Sequence, residues 1–140
     1  MQQSVGFGLC DPGVAELLNR VRQPFNVNNL ALAAAAAALE DADFVGESYE
    51  VNRSGMRQLE NGFRALGLEW IPSAGNFVSV RVPASGAKPQ AGIVYDKLLR
   101  RGVIVRPVAA YGMPEHLRVT IGLPEENKRF LAALNNALGA

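Results

Sequence analysis

The sequence has only one cysteine and one histidine, and their scarcity excludes several kinds of site. Cys10 has no cysteine partner for a disulfide within the chain, which suits a reducing compartment. Cys10 and His116 are also too few to assemble the ligand cluster that zinc requires. We therefore expect no metal site and a cytoplasmic location.

An excess of charge of one sign and long apolar runs are lacking too. The 14 lysines and arginines balance the 13 acidic residues to a net charge of +1, which gives no electrostatic basis for binding nucleic acid or an anionic membrane. The longest apolar run, residues 30–39, is too short to cross a bilayer, and the N-terminus does not have the features of a signal peptide. Neither nucleic acid nor a membrane is expected as a partner.

Helix and strand patterns alternate along a chain long enough for one core. Asp11 and Pro12 form a helix start, and six consecutive alanines at residues 33–38 strongly favour helix. We predict helices that follow Pro12, cover residues 30–40, 49–66 and 91–101, and start again at Pro124, with a break at 41–46. We predict strands at residues 76–82, 103–105 and 117–121, and a short strand-like piece at 5–9.

This order leaves one helical crossover between the sheet strands, so a large doubly wound sheet is excluded. We predict an α/β two-layer sandwich, in which a small, mainly antiparallel sheet is covered by helices on one face. No repeat or linker divides the chain, which we treat as a single domain, residues 1–140.

Two arginines belong to the last two predicted strands. Arg106 ends the first, and Arg118 alternates with the apolar residues of the second, so it points away from the core. Two guanidinium groups on one side of a sheet would bind a dianion, because each offers a planar pair of donors. The alternative is that both are solvated surface side chains. We expect His116, beside Glu115, to be exposed as well.

Five segments have an order and spacing that match a known family. They are RVRQPFNVN at 20–28, SAGNF at 73–77, RRGVIVRP at 100–107, LRVTIG at 117–122 and PEENKRFL at 124–131. Together they resemble the C-terminal small domain of histidinol-phosphate aminotransferases, which are class I/II pyridoxal-phosphate enzymes of the aspartate-aminotransferase fold type. The resemblance implies that residues 1–46 are helices of the joint between two domains and that residues 47–140 are the small-domain α/β core.

The resemblance also implies a substrate site. Arg106 and Arg118 would bind the phosphate of histidinol phosphate, and the carboxylate of glutamate in the other half-reaction. Asn76 and Tyr111 are further substrate-binding candidates. Phe77 would lie near the same site, with core packing as its alternative role.

The family attaches pyridoxal phosphate to a lysine of a large domain, and neither that lysine nor that domain is expected here. Lys88, Lys97 and Lys128 stand in no such motif and are expected to be surface charges. We therefore expect no catalytic, cofactor-binding or metal-binding residue in this chain. Pyridoxal phosphate should not bind to it, and the chain alone should be inactive.

The implied function is the substrate side of an enzyme of histidine biosynthesis. That enzyme, homodimeric in the family, converts histidinol phosphate and 2-oxoglutarate to imidazole-acetol phosphate and glutamate. One alternative is a domain of an aromatic-amino-acid aminotransferase or a threonine-phosphate decarboxylase, because the arginine pair suits each substrate. Another is a non-catalytic ligand-binding or interaction module. Without a large domain, the chain should expose an apolar patch or bury one by self-association.

Overall fold

The computed structural model describes residues 5–86 and 88–139, which form two compact units that meet in sequence between Gly46 and Glu47. The predicted ranges 1–46 and 47–140 also include residues 1–4, 87 and 140, which lie outside the described residues. The first unit is helical. It contains α1 (Pro12–Val21), α2 (Asn29–Glu40) and the first residues of α3 (Ala42–Ala65). Residues 5–9 form no strand, so the strand-like piece predicted there is wrong; the interleaved glycines Gly6 and Gly8 disfavour strand.

Polar side chains begin each helix of the first unit. The Asp11 carboxylate accepts a hydrogen bond from the Gly13 N–H at 2.8 Å, and the Asn28 side chain accepts one from the Ala31 N–H at 2.8 Å. Asp41 accepts one from the Phe44 N–H at 3.0 Å. The break predicted at residues 41–46 is therefore wrong. It is confined to Asp41, whose side chain caps the next helix at once.

The helices of the first unit bury almost none of their own side chains. Ala31 is the one buried residue among residues 5–46, and the alanine run at 33–38 is largely exposed. Exposure extends to the apolar stripe of α1, namely Val14, Leu17, Leu18 and Val21. The first unit thus carries exposed apolar side chains, and the alanine run is not buried within the unit.

The second unit is the predicted two-layer sandwich. Its sheet has the order β1-β2-β4-β3, and every neighbouring pair is antiparallel. Its helices are the remainder of α3, α4 (Ala91–Leu99) and α5 (Pro124–Leu138), and the strands are β1 (Trp70–Ile71), β2 (Phe77–Arg81), β3 (Arg106–Pro107) and β4 (His116–Thr120). The predicted fold class is confirmed.

Strand β3 differs most from its predicted bounds. The sequence pattern predicts residues 103–105, whereas pairing with β4 covers Arg106 and Pro107. The Val103 N–H still donates to the Leu98 carbonyl at 3.0 Å, so the chain leaving α4 is held by the end of that helix. Gly102, with φ of +69°, supplies the left-handed turn there. Sheet pairing therefore starts only beyond Val105.

The core lies between one face of the sheet and the three helices. The sheet contributes Val78, Val80, Leu117 and Val119, and the helices contribute Leu59, Phe63, Val94, Leu98, Phe130 and Leu134. The Phe63 ring lies 6.0 Å from that of Trp70 and 6.2 Å, edge to face, from that of Phe130. Burial of each large apolar side chain contributes about 1.5–3 kcal/mol, so these contacts decide which face of the sheet turns inward.

Neither a membrane span nor a metal cluster occurs in the described ranges. No helix there combines the length and the hydropathy that crossing a bilayer requires. No group of three histidine, cysteine or carboxylate side chains gathers there to hold a metal ion.

One buried amide, Asn127, ties the connection between β4 and α5 to α3. Its Oδ1 accepts from the Gly122 N–H at 3.0 Å, and its Nδ2 donates to the Gly122 carbonyl at 3.0 Å and to Gln58 Oε1 at 3.1 Å. Gly55 allows this close approach, because an added Cβ would lie 2.5 Å from Ile121 Cγ2. A glycine that weakens α3 locally is therefore required by packing.

Replacing Asn127 should destabilise the second unit. In the Asn127→Ala variant the backbone groups of Gly122 lose their side-chain partner, which costs about 1–3 kcal/mol when such groups stay buried. Urea unfolding followed by Trp70 fluorescence should show this loss. Asn136→Ala, at an exposed position of the same helix, should change the free energy of unfolding by less than about 0.5 kcal/mol. Equal effects of the two substitutions would contradict this role.

Candidate functional site

The face of the sheet opposite the core carries a row of polar and aromatic side chains. In the β2–β4 register Ser79 is opposite Arg118 and Arg81 is opposite His116, and in the β3–β4 register Arg106 is opposite Arg118. Directly opposed residues of an antiparallel pair point to the same side. We call this surface the open face; it is formed by Ile71, which is opposite Ser79, and by Phe77, Ser79, Arg81, Arg106, His116, Arg118 and Thr120.

Arg106 and Arg118 therefore lie side by side on the open face. Directly opposed positions hold their Cβ atoms about 4.5–5.5 Å apart, and like charges on opposed residues are destabilising. Within residues 5–86 and 88–139, neither arginine forms an ion pair with a carboxylate. The pair is an uncompensated double positive charge, which a bound dianion would neutralise.

Each arginine of the pair contacts an aromatic residue. The guanidinium carbon of Arg118, a half-buried residue, lies 4.7 Å from the Phe77 ring centroid. Arg106 is exposed, and its Nη2 donates to the Tyr111 hydroxyl at 3.3 Å. These contacts leave most guanidinium N–H groups without a protein acceptor.

Arg81, on the same face, is in the opposite situation. Its Nη1 donates to Glu69 and its Nε to Glu115, each at 2.8 Å. The hydrogen bonds that Arg81 donates to Glu69 and then to Glu115 raise the pKa of Arg81 above its usual value, and the two carboxylates compensate its positive charge. Arg81 thus differs from Arg106 and Arg118 in that its charge is compensated by carboxylates.

Two further predicted residues lie at the ends of these elements. Tyr111 ends a 3₁₀ turn, Ala109–Tyr111, that follows β3, and its hydroxyl contacts Arg106. Asn76 precedes β2, and its carbonyl accepts from the Ile121 N–H at 2.9 Å, which continues the β2–β4 pairing. The side-chain amide of Asn76 is exposed. Substrate contacts by either residue stay predictions.

His116 does not have the exposure that the sequence predicts. It is half-buried, and its Nδ1 is buried without a hydrogen-bond partner in the described structure. The reason is its position, because His116 begins β4 and pairs with Arg81 in the sheet. A position within a sheet leaves the imidazole less exposed than the predicted position in the preceding loop would.

The three lysines are surface residues, as predicted. Lys88 is exposed in the loop before α4, and Lys128 is exposed on α5, 3.9 Å from Glu125. Lys97 Nζ donates to the Ala137 carbonyl at 2.8 Å, which joins α4 to the end of α5. None of the three belongs to a strand of the sheet, so the open face has arginines and no lysine.

Comparison with known proteins gives a consistent set of relatives. A family model described as aminotransferase class I and II matches residues 3–134. Histidinol-phosphate aminotransferase 2 of Pseudomonas fluorescens is 63% identical over 134 residues, which are 96% of this chain and 35% of that protein. Histidinol-phosphate aminotransferase of Methylobacillus flagellatus is 61% identical over the same shares. The chain thus spans 35% of the length of these curated relatives.

Solved structures share the fold. Histidinol-phosphate aminotransferase from Sinorhizobium meliloti, solved in complex with pyridoxal-5′-phosphate, superposes with a TM-score of 0.80 at 26% identity, over 91% of this chain and 35% of that one. L-threonine-O-3-phosphate decarboxylase from Porphyromonas gingivalis gives a TM-score of 0.70 at 21% identity, over 94% and 41%. The second likeness concerns the fold alone.

Removing one charge of the arginine pair should not destabilise the ligand-free chain. Arg106→Gln relieves the repulsion from Arg118, so we expect an unchanged free energy of unfolding or a gain of up to about 0.5 kcal/mol at low salt. Any gain should shrink at high salt, because exposed charges are screened. Arg81→Gln, which breaks two ion pairs, should lower the urea midpoint instead. A loss in Arg106→Gln as large as in Arg81→Gln would contradict the assignment of an uncompensated pair.

Proposed function

The chain belongs to the class I and II aminotransferase family, and from that membership we propose that it is the substrate-binding C-terminal domain of a histidinol-phosphate aminotransferase. One observation carries the proposal. Arg106 and Arg118 are opposed on the open face, and neither is paired with a carboxylate of the described residues. Two relatives with 63% and 61% identity bear this enzyme's name, which supports the choice of substrate.

The chemistry of the arginine pair suits a phosphate ester. A phosphate carries up to two negative charges and several acceptor oxygens, and each guanidinium can donate two parallel hydrogen bonds to such a group. The N–H groups of Arg118 lack a protein acceptor in the described structure, and Arg106 shares one nitrogen with Tyr111. The same donors would bind a carboxylate of glutamate when it replaces histidinol phosphate in the other half-reaction.

Tyr111 and Asn76 extend this proposed site. The Tyr111 hydroxyl accepts from Arg106, so its own proton is available for a substrate oxygen. The exposed amide of Asn76 stands directly before Phe77, whose ring contacts Arg118. We propose that both side chains hydrogen-bond the substrate beside the arginine pair.

Pyridoxal phosphate would supply the electron sink for transamination, yet the described residues do not fit it. Covalent attachment of this cofactor requires a lysine amine in the site. Lys97 donates to a helix-end carbonyl, and Lys88 and Lys128 lie in an exposed loop and on an exposed helix surface. In our proposal, the attachment lysine belongs to a large domain supplied by a longer polypeptide.

The exposed apolar residues of the first unit support the same division of labour. Helices α1 and α2 have the apolar side chains of a packed structure and bury only Ala31. We propose that residues 1–46 form the joint to the large domain, in a cytoplasmic homodimer of the full-length enzyme. Exposed apolar surface of this kind marks an interaction site.

The alternative functions suit the arginine pair too, but they agree less well with the names of the similar proteins. A threonine-phosphate decarboxylase shares the fold, and its substrate would also suit the arginine pair. An aromatic-amino-acid aminotransferase would present a carboxylate to the same donors. A non-catalytic binding module would use the arginine pair and would need no attachment lysine. The histidinol-phosphate enzyme is preferred because both highly similar relatives carry that name.

Phosphate binding tests the arginine pair directly. We expect inorganic phosphate to bind weakly to the chain, and we expect Arg106→Gln or Arg118→Gln to weaken binding by about tenfold, since each removes charge-assisted hydrogen bonds. NMR titration measures the dissociation constant, which should rise with added sodium chloride. Arg81→Gln is the matched control on the same face and should leave binding unchanged. Equal losses in all three variants would indicate a non-specific charge effect and would contradict the proposed site.

A second test concerns catalysis by the chain alone. We expect the purified chain, supplied with pyridoxal phosphate, histidinol phosphate and 2-oxoglutarate, to form no glutamate above the protein-free rate, because no lysine belongs to the strands that the described residues form. Glutamate release in a coupled assay is the measurement. Turnover abolished by replacing Lys88, Lys97 or Lys128 alone would show that this residue is the catalytic amine, contrary to the proposal.

A further inference from the structure

We propose that Phe77 is a positioning residue for the anion site, holding the Arg118 guanidinium against its ring while leaving the N–H donors of Arg118 free. The inference rests on the proposed function, because it concerns how one arginine of that site is held. The observation that carries it is the distance of 4.7 Å between the Arg118 guanidinium carbon and the Phe77 ring centroid.

The sheet register explains this contact. Phe77 is opposite Thr120, and Thr120 is two residues from Arg118 on β4. Phe77 and Arg118 are therefore diagonal neighbours on the open face, within reach of an aromatic ring and a long side chain. The separation is well inside the roughly 6 Å at which a guanidinium is attracted to the ring face.

A ring holds an arginine in a different way from a carboxylate. Arg81 directs its Nη1 and Nε donors to Glu69 and Glu115, so those donors and its charge are occupied. The face of Phe77 attracts the Arg118 cation through the ring quadrupole. This contact does not occupy the N–H donors of Arg118. The open face thus holds one neutralised arginine and one that is oriented but still able to donate.

Orientation matters here because Arg106 repels Arg118. Two opposed cations would otherwise separate into solvent, and an anion would have to restrain both flexible side chains on binding. Contact with Phe77 restrains Arg118 in advance, which lowers the entropic cost of binding. Phe77 is 37% exposed and lies outside the hydrophobic core, so packing in that core does not account for its position.

The experiment compares Phe77→Leu with Phe77→Tyr in the complete 140-residue chain, with inorganic phosphate as the ligand. We expect Phe77→Leu to weaken phosphate binding by about threefold to fivefold and to abolish the ring-current shift of the Arg118 Nε–H NMR signal. Phe77→Tyr keeps the ring face, so it should retain both the phosphate affinity and the ring-current shift of the parent chain. The urea unfolding curve of each variant, measured in parallel, should show that both variants stay folded, with only a small fall of the midpoint in Phe77→Leu, where the ring contact is lost.

The outcomes separate this inference from the proposed function. If Arg118→Gln weakens phosphate binding but Phe77→Leu does not, Phe77 has no positioning role and the arginine site stands. If Phe77→Tyr binds phosphate as poorly as Phe77→Leu while remaining folded, the ring face is not responsible and the inference is overturned. If neither arginine substitution weakens binding, the proposed function fails and the inference fails with it.

Discussion

The pairing register of β2, β4 and β3 is the constraint on which both the core and the proposed site depend. Because side chains alternate along a strand, a slip of one residue would exchange the two faces of a strand. In the observed register Val80 and Leu117 turn together into the core, and Arg106 and Arg118 turn together to the open face. The hydrophobic energy that holds the valines and leucines inward therefore also holds two arginines of like charge at opposed positions of the sheet.

The open face shows how local partners decide what an arginine can do. Arg81 forms ion pairs with Glu69, which precedes β1, and with Glu115, which precedes β4, so it links β2 to both neighbouring strands. Arg118 has an aromatic ring in place of a carboxylate, and its donors stay available. Leaving these donors without a protein acceptor gains nothing for the ligand-free fold, which is typical of a site whose partner is an anion. The proposed phosphate ester has the charge and the acceptor geometry to complete it.

Among the described residues, the strands of this face contain no lysine, and the first unit has almost no buried side chain. The lysines of the chain lie in a loop or on helices, and residues 5–46 bury only Ala31. Both features have one explanation in the proposed function. In that proposal, a polypeptide as long as the relatives, of which this chain spans 35%, would contain the catalytic lysine and the surface that the exposed helices contact.

The sequence by itself determined that helices α1–α5 exist, though not where α3 begins, together with the two alternating strands and the fold class, because caps, apolar periodicity and glycine stops act within a few residues of each other. It also placed Arg118 on the polar side of its strand. Tertiary structure alone decided the rest. The short strands β1 and β3, the Asn127 network and the contact of Phe77 with Arg118 join residues far apart in the chain. The half-burial of His116 depends on its place in the assembled sheet. No local pattern encodes such partners, since each depends on which strands and helices the folded core brings together.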